Sequence, residues 1–412
     1  MMRRLLPSLL RALAPCILAC AAGPALAQSA ADEAQVLYER ALQAIAEGRK
    51  DDASRTLMGV IEKEALHAGA YLEVALIQCS LGKSDEAERL FAIVETRFDP
   101  PRPILELIAE ARDTGCDTWQ PVKSTSFSLT RGVDNNVNQG ARNPTYIIER
   151  EGGQVVLPLQ AEFLPQRDHY TAFNLDHTRE LTPNGVSGFL QLTGRRNDSL
   201  HRYDSASLYA GVDSPYRWGA WPVRASAILG ATVLDGRLYQ RQLQLQTRVG
   251  VPLPLPAGMA LNVSGAVSRS QYIALTNFDS TLMEMTSLLS YRGDSLYASM
   301  SHAWMSDRAV RERPGGDRHG YATTLLARRP LWRFSAEVSF SYQSWKSAEA
   351  YVPGLIEAVR DQNTRVVRAA LSYPVKRNQS LRLEARAVRN SENISIFQYD
   401  NRQIQLSWQW QR

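Results

Sequence analysis

The sequence lacks the features that mark several protein classes. Its 412 residues contain only four cysteines, too few for a disulfide-rich scaffold. Glycine (25) and proline (20) are near their average abundance, which excludes a collagen-like or low-complexity chain. No stretch beyond the N-terminus supplies the roughly 18 apolar residues of a membrane helix. With 44% hydrophobic residues, the chain is long enough for two or three folded domains.

The first 27 residues have the pattern of a secretory signal peptide. It consists of a positive start, an apolar run and a small-residue cleavage site, namely Arg3, Arg4, Arg11, residues 12–22 and Ala25-Leu26-Ala27. This pattern predicts cleavage before Gln28, and lipoprotein processing at Cys20 is the alternative. Cleavage before Gln28 leaves 44 basic and 42 acidic side chains, a net charge of +2. Nucleic acid is therefore a poor candidate partner.

Cys79 and Cys116 are the only cysteines of the mature chain. Export places them in an oxidising compartment, where a disulfide is stable. The alternative is two buried or reduced thiols, and the sequence leaves both open.

Residues 28–115 are predicted to form a periplasmic helical domain. Residue types match at an offset of 34, the period of the tetratricopeptide repeat, a helix–turn–helix unit. The matching pairs are Ala41/Ala75, Gly48/Gly82, Asp51/Asp85, Ala53/Ala87, Leu57/Phe91 and Val60/Val94. Small alanines let paired helices approach closely, and the glycines suit helix ends. A further helix is predicted from Pro103 to about Asp113. Stacked repeats of this kind present a concave face that binds peptides or partner proteins, and a spacer or plug is the alternative.

Residues 116–412 are predicted to form an outer-membrane β-barrel. From Val122 onward apolar residues occupy every second position, as at Leu243 and Leu245 against Gln242 and Gln244. Long strands and aromatic residues near strand ends favour a transmembrane barrel over a soluble sandwich. The aromatic residues assigned to an interfacial girdle are Tyr203, Trp218, Trp221, Tyr239, Trp332, Trp345, Trp408 and Trp410.

Fourteen antiparallel strands are predicted. They are 123–131, 168–180, 184–195, 203–213, 217–233, 237–251, 257–271, 280–292, 294–305, 318–328, 331–345, 364–375, 379–389 and 398–411. Connections after even-numbered strands are short, whereas those at about 132–167, 306–317 and 346–363 are long. Since barrels have short periplasmic turns and longer external loops, this alternation predicts that both termini lie in the periplasm.

The polar face of the strands predicts a hydrated lumen. Its candidate residues are Gln242, Gln244, Gln246, Glu337, Arg382, Glu384 and Arg386. The first external loop contains an Asp/Asn motif, Asp134, Asn135, Asn136 and Asn138, which is either a cation site or a plain polar loop, and the plain loop is favoured. No catalytic, cofactor-binding or metal site is predicted, because the six histidines lack ligand spacing and no nucleophile motif is present.

A cleaved signal peptide, two or three tetratricopeptide units and a fourteen-stranded barrel together resemble the surface lipoprotein assembly modulator (Slam) family of Gram-negative bacteria. The similarity is carried by the opening strand, residues 126–131, which runs into the Asp/Asn motif, and by the closing strand at residues 401–403. The resemblance implies delivery of lipoproteins or related proteins to the cell surface. It also implies that the helical repeats engage cargo or a periplasmic chaperone, while the barrel is the translocation element among outer-membrane lipids.

Two alternatives remain from the same pattern. Exopolysaccharide exporters also join tetratricopeptide repeats to a barrel, although their arrays are long, whereas this chain has room for two repeats and a cap. A passive porin whose helices occlude its mouth is the other alternative. In the export hypothesis, substrate passes through the lumen or through a lateral opening between the first and last strands.

Overall fold

The computed structural model describes residues 30–150 and 153–412, so the predicted signal peptide lies outside the described residues. The chain folds into two compact units, one helical and one a β-barrel. No helix within the described ranges is long and apolar enough to cross a membrane.

Five helices form the first unit. They are α1 (Ala30–Ala46), α2 (Lys50–Lys63), α3 (Ala68–Ser80), α4 (Ser84–Arg97) and α5 (Arg102–Thr114). Helices α1 and α2 form one antiparallel hairpin, and α3 and α4 form the next. At the turn between α3 and α4, Gly82 has a φ of +78°, and a Cβ there would lie 2.8 Å from the backbone nitrogen of Trp119. Glycine is therefore required by both conformation and space.

A disulfide joins Cys79 near the end of α3 to Cys116 just after α5. The two Cα atoms are 4.3 Å apart. This bond answers the question that the sequence left open, and it fastens the last helix of the unit to the second hairpin.

Fourteen strands of the second unit form a closed antiparallel barrel. Its strands are β1 (Lys123–Asp134), β4 (Asp168–Glu180), β5 (Ser187–Asn197), β6 (Ser205–Trp218), β7 (Trp221–Leu234), β8 (Arg237–Val251), β9 (Met259–Tyr272), β10 (Ser280–Arg292), β11 (Tyr297–Ala309), β12 (Arg318–Leu331), β13 (Phe334–Val352), β14 (Ile356–Lys376), β15 (Gln379–Glu392) and β16 (Tyr399–Gln411). Each strand pairs with its chain neighbour, and β1 closes the barrel by pairing with both β4 and β16. The prediction of a helical region followed by a closed fourteen-stranded transmembrane barrel is confirmed.

The barrel has the inverted polarity expected in a membrane. Leucines of the apolar series stand exposed on the outer surface, for example Leu229 at 64% and Leu245 at 55%. The alternate positions carry polar side chains that face inward. Closure leaves no free sheet edge, so every strand pairs on both sides, as a lipid environment requires.

Three details of the sequence-based assignment are wrong. The segment 346–363 is not a long loop, because β13 continues to Val352 and β14 already begins at Ile356. Only three residues connect the two strands. The loop 132–167 contains a small two-stranded sheet, β2 (Thr145–Arg150) with β3 (Gly153–Pro158), that was not predicted. Trp345 is not in an outer girdle. It is 8% exposed and packs on the inner face against Ala303 and Met305.

Candidate functional site

The candidate lumen residues lie on the inner face of their strands. Gln242, Gln244 and Gln246 alternate along β8 with leucines that are exposed outside, and all three glutamines are half-buried. Glu337 of β13 and Arg382, Glu384 and Arg386 of β15 occupy the same face of the barrel wall. The structure therefore separates a neutral, glutamine-lined wall from a charged one.

Charged side chains of the second wall form a continuous chain of ion pairs. Glu337 accepts from Arg328 of β12 at 2.5 Å and from Arg382 at 2.8 Å, and Arg382 also lies 3.3 Å from Glu384. Gln405 of β16 extends the chain by donating to Glu384 at 3.4 Å. Because Glu337 binds arginines of β12 and β15 and Glu384 binds Gln405 of β16, this network stabilises the wall across β12 to β16.

The Asp/Asn motif of the first loop holds the two closing strands together. Asp134, 2% exposed, accepts hydrogen bonds from the side chains of Arg195 (2.9 Å), Asn401 (2.6 Å) and Gln403 (2.8 Å) and from the backbone N–H of Asn136 (2.9 Å). These four donors occupy both carboxylate oxygens. The carboxylate therefore links β1 to β16 by hydrogen bonds at the loop end of the barrel.

Two further residues of the motif also join β1 to β16, and the last one, Asn138, bonds within the loop. Asn135 accepts from the backbone N–H of Arg402, and Asn136 donates to the backbone carbonyl of Asp400. Asn138 donates to carbonyls further along the same loop, at Glu162 and Leu164. Within the described residues, no group of three or more His, Cys, Asp or Glu side chains is arranged to hold a metal ion.

The seam between β1 and β16 is paired along its length. The register runs from Ser126 opposite Gln411 to Asp134 opposite Gln403. Side chains on the inner face reinforce this pairing, since the hydroxyl groups of Thr130 and Ser407 form a hydrogen bond of 2.8 Å between their oxygen atoms. In this structure the two strands form a closed joint without a lateral gap.

Two arginines on the inner face lack a carboxylate partner. Arg368 of β14 stands directly opposite Arg386 of β15, and no Asp or Glu of the described part of the chain lies within 4.0 Å of either guanidinium group. The buried Nε of Arg386 has no hydrogen-bond partner among these residues. Like charges that face each other across strands are destabilising, so the pair is suited to an anionic ligand.

A cavity of about 900 Å³ opens at the turn end of the barrel. Polar residues of the inner face line much of it, including Ser126, Ser128, Asn174, Asp176 and Gln409. Its size and polarity are compatible with a hydrated entrance.

The repeat positions lie in the core of the helical unit. Fully buried side chains occupy most of them, namely Ala41, Ala53, Ala75, Ala87 and Phe91, while Gly48 and Gly82 both have φ +78°. The exposed surface differs: α5 carries Leu105 (42% exposed) and Leu107 (38% exposed) and buries only Ile108 completely.

The sequence reasoning missed several residues of the charged wall. Arg328, Arg368 and Arg195 lie on inner faces, and Tyr170 joins the network by donating to Gln405 at 2.6 Å beneath the Arg195 guanidinium group. The two-residue period was the signal that would have assigned them to the lumen. Their partners could not be read from it, because those lie on strands far away in the chain.

No protein-family model matches the sequence, and no curated protein does. Solved structures with a similar fold include OmpT, an outer membrane protein of Vibrio cholerae, at 7% identity over 71% of this chain and 98% of that chain, with a TM-score of 0.39. An anion-selective porin from Comamonas acidovorans matches at 8% identity over 71% of this chain and 99% of the porin chain, with a TM-score of 0.39. A bacterial polysaccharide outer membrane secretin matches at 8% identity over 70% of this chain and 98% of the secretin chain, with a TM-score of 0.38. Similarity at this level assigns no function.

Proposed function

We propose that this chain is an outer-membrane export protein similar to the Slam translocons, which delivers lipoproteins or related proteins to the cell surface. The observation that carries the proposal is the combination, in one chain, of a stacked helical-hairpin unit with a closed barrel whose inner face is polar. A simple pore needs only the second unit, so the first requires a task of its own. In this proposal the helical unit lies in the periplasm and captures cargo or a chaperone.

The free surface of α5 supports capture by the helical unit. Terminal helices of a stack are normally polar on their outer face, because that face meets water. Here Leu105 and Leu107 are exposed, and an apolar segment of a partner would cover them. These two leucines are our candidate contact for an unfolded or chaperoned substrate.

The closed seam favours passage through the lumen over a lateral opening. Separating β1 from β16 would break the paired register from Ser126 to Asp134 together with the hydrogen bonds of Asp134 to Asn401 and Gln403. The lumen offers a polar path without breaking backbone pairs. Arg368 is well exposed although it points inward, which indicates open space beside it.

Surface proteomics after deletion of the gene tests the proposal. We expect one or a few lipoproteins to disappear from the cell surface and to return with the intact gene. A Leu105→Ser/Leu107→Ser variant should fail to restore them, whereas Glu110→Ser on the same helix should succeed. An unchanged surface inventory in the deletion strain would contradict the export function.

A second candidate function is passage of an acidic polymer or small anion, and the Arg368–Arg386 pair favours it. Planar-bilayer recordings of the full chain in a salt gradient test this candidate. Replacing both arginines by glutamine should shift the reversal potential toward cations if anions pass the pair, while Gln242→Ala/Gln244→Ala on the neutral wall should leave it unchanged. Equal reversal potentials in both variants would remove this candidate.

A further inference from the structure

An arginine lies on the outward face near the loop end of seven strands. These arginines are Arg131, Arg196, Arg241, Arg269, Arg365, Arg389 and Arg402. On β14, β15 and β16 the preceding outward residues are Val367, Ala387 and Ile404, so each arginine stands one outward position above the apolar belt. This is the level at which lipid headgroups begin.

Three of these arginines are neighbours on adjacent strands. Arg365 of β14 lies directly opposite Arg389 of β15. Arg402 of β16 lies opposite Ala387, which is the next outward residue to Arg389 along β15. All three are exposed, and within the described residues none has a carboxylate oxygen within 4.0 Å. Facing guanidinium groups repel each other, so an anion shared between them would stabilise this arrangement.

The nearby carboxylate does not neutralise this cluster. Asp400 lies opposite Arg389 in the register, but its carboxylate pairs with Arg142 at 3.5 Å. Four guanidinium groups therefore surround one paired carboxylate on this face. The cluster keeps an excess of positive charge at the edge of the apolar belt.

Small residues continue from the cluster into the belt. Ala369 of β14 and Ala385 and Ala387 of β15 face outward between the larger Val367 and Ile404. A lane of alanines bordered by branched side chains fits an acyl chain. The cationic end and the apolar lane together match the two parts of a phosphorylated lipid.

We propose that Arg365, Arg389 and Arg402 bind the phosphate groups of a diphosphorylated glycolipid of the lipid A type, in the leaflet that faces the loops. Its acyl chains occupy the alanine lane, and its phosphates accept hydrogen bonds from the guanidinium groups. The inference is independent of the exported substrate, and it requires that the loop end face the cell exterior.

Native mass spectrometry of the full-length protein in detergent, titrated with lipid A, tests the site. We expect Arg365→Gln/Arg389→Gln/Arg402→Gln to weaken lipid A binding at least tenfold. The control Arg329→Gln/Arg333→Gln/Arg377→Gln, which changes three arginines at the turn end, should bind as the unmodified protein does. Heat-modifiable gel mobility confirms that both variants are folded barrels.

Two further ligands distinguish the sources of binding. Dephosphorylated lipid A should bind the unmodified protein as weakly as lipid A binds the triple variant. Phosphatidylglycerol should bind weakly and without dependence on the three arginines. Equal binding of lipid A to both triple variants, or tighter arginine-dependent binding of phosphatidylglycerol than of lipid A, would overturn the proposal.

Discussion

The helical unit and the barrel apply the hydrophobic effect in opposite directions. In the helical unit, Leu57, Phe91 and Val60 are completely buried among alanines. In the barrel, Leu229, Leu245 and Ile404 are more than half exposed on the outside, whereas Asp134 and Asn401 are buried. The same residue types are used in both. The helical unit has the polarity of a protein folded in water, and the barrel has the polarity of a protein folded among acyl chains.

Polar groups follow the same inversion. Few buried polar contacts occur in the helical core, and one is the hydrogen bond of Gln78 to Ser54 at 2.9 Å. In the barrel, polar contacts hold the inner wall and the closing seam together. A substitution should therefore have opposite consequences in the two units, and the following experiments test this comparison in order of expected effect.

Truncation of a core side chain in the helical unit should have the largest effect. Phe91→Ala leaves a cavity at a completely buried position of α4 and should destabilise the helical unit by about 4 kcal/mol. Leu105→Ala on the exposed face of α5 should cost less than about 1 kcal/mol. Hydrogen exchange of α4 amides in the intact protein measures both, and equal protection in the two variants would contradict the assigned core.

An arginine should be tolerated inside the barrel and not outside it. Leu245→Arg places a charge on the lipid-facing surface and should destabilise the barrel by about 3 kcal/mol. Gln244→Arg, at the adjacent inward position, should cost less than about 1 kcal/mol. Urea unfolding in lipid vesicles gives both values. A reversed order would mean that the inner and outer faces are assigned incorrectly.

Removal of the disulfide should affect the helical unit alone. Cys79→Ser/Cys116→Ser opens a loop of 37 residues and should cost about 2 to 4 kcal/mol, because the unfolded chain regains conformational freedom. Thermal unfolding followed by helical circular dichroism should shift to lower temperature, while the barrel transition stays in place. A dithiothreitol-treated sample provides the matched control and should behave like the double variant.

Removal of a surface ion pair should have the smallest effect. Arg112 lies 2.7 Å from both Glu88 and Glu95, and its hydrogen bond lowers the pKa of Glu88. A carboxyl group whose pKa is lower in the folded protein stabilises the fold at pH values above its unfolded pKa of about 4.3. This stabilisation is lost as the pH falls through the folded pKa. Because these side chains are largely exposed, Arg112→Gln should cost at most about 1 kcal/mol at neutral pH.

The pH dependence gives that prediction its control. The cost of Arg112→Gln should disappear near pH 2, where the carboxyl groups are protonated in both proteins. Arg102→Gln, which removes a more exposed pair with Glu106, should cost close to nothing at either pH. A cost that persists in acid would assign Arg112 a packing role, for instance over the Phe91 ring at 5.6 Å.

Local patterns allowed much of the fold to be predicted. The strands 168–180, 237–251 and 280–292 were predicted with the bounds that the structure has. Errors arose where the alternation is interrupted, as at the loop end of β13, because the pairing with β14 shifts register between Lys346 and Ala350 and again between Ala350 and Val352. Trp345 was assigned to the wrong face because its residue type suggested a membrane interface. Its position along β13 is in step with the inward-facing Glu337, which assigns it to the inner face.

The sequence by itself determined which residues share a face, because alternation along a strand and the 34-residue offset depend only on near neighbours in the chain. Only the tertiary structure decided which faces meet. Barrel closure brings Asp134 to Asn401 and Arg365 to Arg389, and the folding of α5 brings Cys116 to Cys79. These contacts depend on register and closure across long separations, and no local periodicity specifies them.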